Sequence, residues 1–524
     1  MLLPKKPVPL LTDLDLWFFF TLFGTGSENR CESGDNMTNA DKYRLLSEAD
    51  PDELEKLAEK VNASPWRQHY HIQPPTGLLN DPNGFGYYND RYHLFYQWHP
   101  FGPVHGMKYW YHVTSTDLVH WKDMGIGIEP GGQYDSHGAY SGSALAEGEK
   151  LYLFYTGNTR DEDWVRHPYQ CLAVMDQEGH ITKQDAPIID APPQGYTAHF
   201  RDPKVWKADD RYYAVLGAQR LNKTGCVLIY KSDDLHTWSF IGELKTSLAD
   251  FGYMWECPDY FELGEKGVLL FCPQGLPAEE NRFENIHQAG FLIGEPIDPE
   301  VPNFQHGSFM EMDRGFDFYA SQTTLSPDGK RILIGWMGLP DTDYPTDMHG
   351  WAHCLTLPRE LTIKDGILLQ RPVKEVELLR KDKNTASHTV HNTKIRLKEI
   401  HGSSYELICE LCMEGAAKAG ISFRTGVTEE TLLYYDAVSK YLVLDRTRSG
   451  AAMKNSNGSI RRYALDATKI TLRLFVDQSS VEIFINDGEA VMTARIFPAK
   501  DSNGVAFFTE GGNATFNAVQ WLYR

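Results

Sequence analysis

The chain has 524 residues, 42% hydrophobic and 12% aromatic, which is enough length and apolar content for two domains with their own buried cores. Its formal charge of -20 opposes nucleic-acid phosphates and anionic membranes, and no basic patch stands out to offset it, so a small neutral or locally bound molecule is the expected partner. The eight cysteines are dispersed rather than set in a disulfide framework, which favours a reducing, cytoplasmic setting. Cys409 and Cys412 form the one CxxC, but ELICELCMEG reads as a strand in which an offset of three puts the thiols on opposite faces. Neither a metal nor a cofactor is expected.

Residues 1–36 hold an apolar run, VPLLTDLDLWFFFTLFG, interrupted by Asp13 and Asp15 and too short to span a bilayer. They read as an extension outside the fold. Residues 37–66 predict an amphipathic helical segment. From 67 to 370 one pattern returns five times: a Gly-, Asp- or Asn-containing turn followed by an aromatic-rich strand. The copies are NGFGYYNDRYHLFYQW, SGSALAEGEKLYLFYTGN, DPKVWKADDRYYAVLGAQ, CPDYFELGEKGVLLFCPQG and ASQTTLSPDGKRILIGWMG. Intervals of about sixty residues leave room for one four-stranded sheet per copy, so this part of the chain is expected to be a five-bladed β-propeller. Ser-x-Asp-Leu-x-x-Trp recurs in STDLVHW and KSDDLHTW, as corresponding outer strands or turns. Residues 371–384 are charged and linker-like, and 385–524 alternate as short strands of a C-terminal β-sandwich, with Asp487-Gly488 as a hairpin turn.

An acid recurs beside a proline ahead of three copies: Asn80-Asp81-Pro82, Arg201-Asp202-Pro203 and Glu256-Cys257-Pro258. An isolated Asp-Pro is usually only a turn. In equivalent blades, however, the three carboxylates would sit at equal depth on the innermost strands and converge on one axial funnel. Hydrolysis of a glycosidic acetal needs one protonated and one ionised carboxyl group. Arg201 beside Asp202 is expected to hold that carboxylate ionised. Apolar neighbours in YMWECPDY are expected to keep Glu256 neutral as the acid, and Asn80 and Asn83 suit an ionised nucleophile at Asp81.

LLNDPNG, FRDP and WECP, in this order, resemble the three signature motifs of glycoside hydrolase family 32, the invertases and fructanases, and the match covers nearly all of the chain after about residue 66. The resemblance implies a five-bladed propeller followed by a β-sandwich and a retaining double displacement through a covalent fructosyl-enzyme. It implies Asp81 as nucleophile, Glu256 as general acid and then base, and Asp202 as stabiliser of the transition state. Asn80, Gln97, Tyr140, Ser141 and Arg201 resemble fructose-pocket contacts, and blade five offers Asp317, Phe318 and Tyr319. Leu78-Leu79 ahead of the first motif, and His105 where many relatives carry a pocket tryptophan, resemble the bacterial branch that acts on sucrose 6-phosphate. The expected substrate is therefore the terminal β-D-fructofuranosyl bond of sucrose or its 6-phosphate, with Lys108 and His105 as candidate rim groups for a phosphate. A fructan hydrolase of the same mechanism is the nearer alternative, and a non-catalytic carbohydrate-binding propeller the more distant one.

Overall fold

The computed structural model describes residues 37–454 and 457–523, so the extension over 1–36 lies outside the described residues. Helix Pro51–Asn62 starts where Asp50 accepts a hydrogen bond from the Asp52 N–H, with Pro51 tolerated in the first turn. Before it, Asn39–Tyr43 is a single helical turn closed by a reciprocal capping box between Thr38 and Asp41.

Five antiparallel sheets then follow in chain order. Their innermost strands are Gly77–Tyr88, Ala139–Glu147, Tyr196–Ala208, Met254–Leu263 and Tyr319–Leu325, and each pairs with the strand that follows it. These are the five expected blades of a β-propeller. Trp351–Ala352, from the last blade's segment, pairs in parallel with Gly77 and Leu78, and so closes the ring onto blade one. The twice-seen Ser-x-Asp-Leu-x-x-Trp is a turn at the edge of blades one and three. Leu118 and Leu235 take left-handed φ of 66° and 67°, and the indoles of Trp121 and Trp238 donate to the carbonyls of those leucines. Equal sequence produces equal geometry there.

In every blade the innermost strand is bulged at the same place. Pairing with the second strand skips one residue between Leu79 and Pro82, Tyr140 and Gly142, Arg201 and Lys204, Glu256 and Asp259, and Tyr319 and Gln322. In three blades a proline follows, and its missing N–H is tolerated where the ladder is already broken. Asp202, Cys257 and Ala320 take left-handed φ at these bulges.

The sandwich packs two six-stranded sheets around one apolar core. Its first strand, Arg380–His391, begins inside the segment 371–384 expected as a linker, and Lys374–Leu379 is a short 3-10 helix. The charge that suggested a linker belongs to a sheet-edge strand with most side chains in solvent. Cys409 faces the core while its CxxC partner Cys412 is half-buried on the other face. Buried ion pairs join the two halves. His71 donates to Asp477 at 2.8 Å and to Glu482 at 3.1 Å, and Arg359 binds Glu482 and Asp313.

Candidate active site

A bulge turns two consecutive side chains toward the same side of a strand. Each blade therefore presents a pair to the propeller axis: Asn80 and Asp81, Tyr140 and Ser141, Arg201 and Asp202, Glu256 and Cys257, Tyr319 and Ala320. Asp81, Asp202 and Glu256 do converge, but they are not equivalent by position. Asp81 and Asp202 take the second place of the pair, where Cys257 stands in blade four, and Glu256 takes the first. The recurring proline had concealed a shift of one residue.

Asp81 lies in a closed ring of hydrogen bonds. Lys108 Nζ donates to Asn80 Oδ1 at 2.8 Å. Asn80 Nδ2 donates to Asp81 Oδ1 at 3.1 Å and to Gln97 Oε1 at 2.6 Å. Gln97 Nε2 donates to Ser141 Oγ at 2.6 Å, and the Ser141 hydroxyl returns to Asp81 Oδ2. Burial raises the Asp81 pKa and the Glu256 charge adds to this, while the donors Ser141 and Asn80 and the Lys108 charge act the other way. The expected pocket residues Asn80, Gln97 and Ser141 are thus the ones that orient this carboxylate.

The expected electrostatics of the other two acids are reversed. Arg201 spends its fork on Glu256, with Nη2 at 2.6 Å and Nε at 3.1 Å, and is only 3.9 Å from Asp202. The Tyr319 hydroxyl donates to the other Glu256 oxygen at 2.6 Å. Burial favours a neutral Glu256, but the charge of Arg201 and the bonds from Tyr319 and Arg201 outweigh it and lower the pKa. For Asp202 burial dominates, the Glu256 and Asp81 charges add to it, and the pKa is raised despite Arg201 and the Cys257 N–H at 3.0 Å. Neighbours along a strand do not share surroundings: Trp255 points into blade four, donating its N–H to Phe251 O, while Glu256 meets Arg201 from blade three. Cys257 Sγ lies 3.7 Å from Asp81 Oδ2 and 3.8 Å from Asp202 Oδ2, and burial and the acids keep it a thiol.

The remaining candidates divide. Tyr319 reaches the site. Asp317 does not: it takes hydrogen bonds from the Tyr344 hydroxyl and from Arg446 and Arg495 of the sandwich, and Phe318 is buried under Arg359. Tyr140 lies at the mouth, where the Arg166 guanidinium sits 5.9 Å from its ring. His105 is an exposed rim residue beside Trp336. Lys108 is no rim cation. It is 2% exposed, and burial lowers its pKa to about 7 against the pull of Asp81. The sequence reading missed Cys257 and the structural use of Lys108. The alternation in MKYWYHV marks Lys108 as an inward-facing position, which was the available signal.

Two domain models cover this chain almost end to end: the glycosyl hydrolases family 32 N-terminal domain over residues 71–372 and the family 32 C-terminal domain over 375–522. The chain belongs to glycosyl hydrolase family 32. As a family 32 member it is a glycosidase, as its motifs implied. A sucrose-6-phosphate hydrolase of Staphylococcus xylosus is 49% identical over 475 residues, 91% of this chain and 96% of the relative. Among solved structures, the sucrose-6-phosphate hydrolase of Lactobacillus gasseri is 40% identical, with a TM-score of 0.87 over 93% of this chain and 99% of that one. A Bombyx mori family 32 β-fructofuranosidase, solved as a mutant in complex with sucrose, is 34% identical with a TM-score of 0.78 over 90% of this chain and 98% of that one. No described helix is long and apolar enough to cross a membrane.

Proposed function

We propose that this family 32 enzyme hydrolyses the terminal β-D-fructofuranosyl bond of sucrose or sucrose 6-phosphate with retention, through a fructosyl ester on Asp81. The hydrogen-bond ring around Asp81 carries the reading. Two donors, Asn80 and Ser141, hold its oxygens in place as acceptors, which supports an anionic nucleophile rather than an acid. Across the axis, Glu256 is held by Arg201 and Tyr319 and takes the acid and then the base role, and Asp202 binds sugar hydroxyls and opposes the developing positive charge.

Glu256 begins ionised and so must acquire a proton for the first step. Three buried carboxylates around one axis do not all stay charged, and the raised pKa of Asp202 makes it the resting place of a shared proton. Fructose hydroxyls that donate to Asp202 favour its ionised form, and the proton then passes to Glu256 facing the leaving oxygen. The names of the Staphylococcus and Lactobacillus relatives support the phosphorylated substrate, and the Bombyx relative supports plain sucrose.

Methanolysis tests the mechanism. With methanol present, the first-formed methyl fructofuranoside is expected to be β, with Asp81→Asn reducing the rate by at least about a thousandfold; an α product would sink the double displacement. Comparing kcat/KM on sucrose, sucrose 6-phosphate and inulin separates the substrate readings, and inulin as the best substrate would favour the fructan alternative.

A further inference from the structure

The innermost strand of blade three runs from the mouth of the funnel into its depth. Lys204, at the inner end, is paired with Asp259, and Arg201 holds Glu256 in the middle. His199, two residues toward the mouth and so on the same side of the strand, accepts a hydrogen bond from Arg201 Nη1 at 3.1 Å. With Glu256 as the proposed acid, this is the side on which the leaving group would depart.

Cations that lack a carboxylate partner stand close to His199: Arg166 and Lys223 act on it directly, and Arg160 faces Arg166 across the strand pair. Arg166, Arg160 and the exposed turn residue Lys223 have no carboxylate within salt-bridge reach among the described residues, although the chain carries a formal charge of -20. Arg166 is half-buried and stands over the Tyr140 ring. Arg160 stands 5.1 Å over the Trp164 ring, donates one N–H to Trp164 O and leaves its buried Nε without a hydrogen-bond partner. Burial lowers the His199 pKa to about 4, and the repulsion of Arg201, Arg166 and Lys223 contributes. Beside them, Tyr43, His137 and Trp164 pack edge-on and tilted at 5.2–5.6 Å, an aromatic wall against which an apolar sugar face fits. Unpaired cations beside an aromatic wall suit a hexose carrying an anion. A phosphate monoester brings a charge of about -1.5 to -2 and three acceptor oxygens, and Arg binds it as a planar fork.

We propose that the basic mouth between blades two and three, built from Arg166, Arg160, His199 and Lys223, is the subsite for a phosphate ester on the leaving hexose. This rests on the β-fructofuranosidase reading and goes beyond it by placing the phosphate. Lys108 and His105, by contrast, lie by blade one and have no part in it.

The test compares kcat/KM on sucrose, on sucrose 6-phosphate and on sucrose phosphorylated at C6 of its fructose, for the wild type, Arg166→Gln and Lys223→Gln. Arg166→Gln is expected to lose on the order of ten- to a hundredfold on sucrose 6-phosphate and less than about threefold on sucrose. Lys223→Gln, on an exposed turn that tolerates substitution, loses less but in the same selective way. Added salt should weaken wild-type kcat/KM for sucrose 6-phosphate and leave that for sucrose flat. Equal losses on both substrates, or a salt response shared by both, would overturn the subsite even if Arg166→Gln folds poorly. Arg166-dependent turnover of the fructose-phosphorylated sugar alone would overturn its placement. A wild type that cleaves none of the three would instead remove the underlying β-fructofuranosidase reading.

Discussion

Below about pH 7 Lys108 is an ammonium group with donors and no acceptor, so its bond to Asn80 Oδ1 leaves only one direction for the hydrogen bonds beyond it. The Asn80 amide N–H groups must point to Asp81 and Gln97, the Gln97 amide to Ser141, and the Ser141 hydroxyl to Asp81. Lys108→Met removes that constraint and lets either amide flip a carbonyl toward the carboxylate. It is expected to lower kcat/KM on sucrose by about ten- to a hundredfold, with the fold intact by thermal melting, and an unchanged kcat/KM would show that the ring orients itself. Tyr319 acts on the acid instead. Its hydroxyl stabilises the charged form of Glu256, so Tyr319→Phe raises the proton affinity of that carboxyl. A general acid with a raised pKa stays protonated to higher pH. The alkaline limb of the kcat/KM profile should therefore move upward by about half to one unit, and a downward move would contradict the assignment of that limb to the Glu256–Asp202 pair.

At the level of the strand, five bulges decide what the axis sees. The blade count, the closing sandwich and the three acidic motifs were legible in the sequence, because strand-turn-strand patterning and Asp-Pro or Cys-Pro punctuation are local signals. The offset of Glu256 by one residue was not legible, since a bulge is set by register with the second strand. The preference of Arg201 for Glu256 over its chain neighbour Asp202 was hidden for the same reason, being a contact between blades. Ala320 shows the backbone demand most simply. It is buried with φ of 47°, where a β-branched side chain is strongly disfavoured. Ala320→Val is expected to cost about 2–3 kcal/mol and to displace Tyr319, so that the melting temperature and the alkaline limb change together. A stable variant with the wild-type pH profile would argue against a shared bulge geometry.

Across the whole molecule, the propeller and sandwich are joined by buried charges, among which His71 titrates between its ordinary 6.5 and about 9. Burial opposes its charge, but hydrogen bonds and charges from Asp477 and Glu482 prevail and raise its pKa to about 9 from an ordinary 6.5. The folded protein therefore binds the proton more tightly than the unfolded chain. The stabilisation is fully present below about pH 6.5, the ordinary histidine value, and is lost as pH rises through about 9. Arg359 keeps Glu482 charged throughout, and the Asp477 and Glu482 pKa values are lowered, so these groups do not titrate in the same window. The melting temperature should fall between pH 6.5 and 9 in the wild type. In His71→Gln that decline should flatten, at a cost below pH 6.5 of about 3–5 kcal/mol because two buried carboxylates lose their shared partner. The bond from Arg446 to Asp317 survives in that variant, so the two halves should still melt as one unit; two separate transitions at pH 6 would mean that His71 alone couples them.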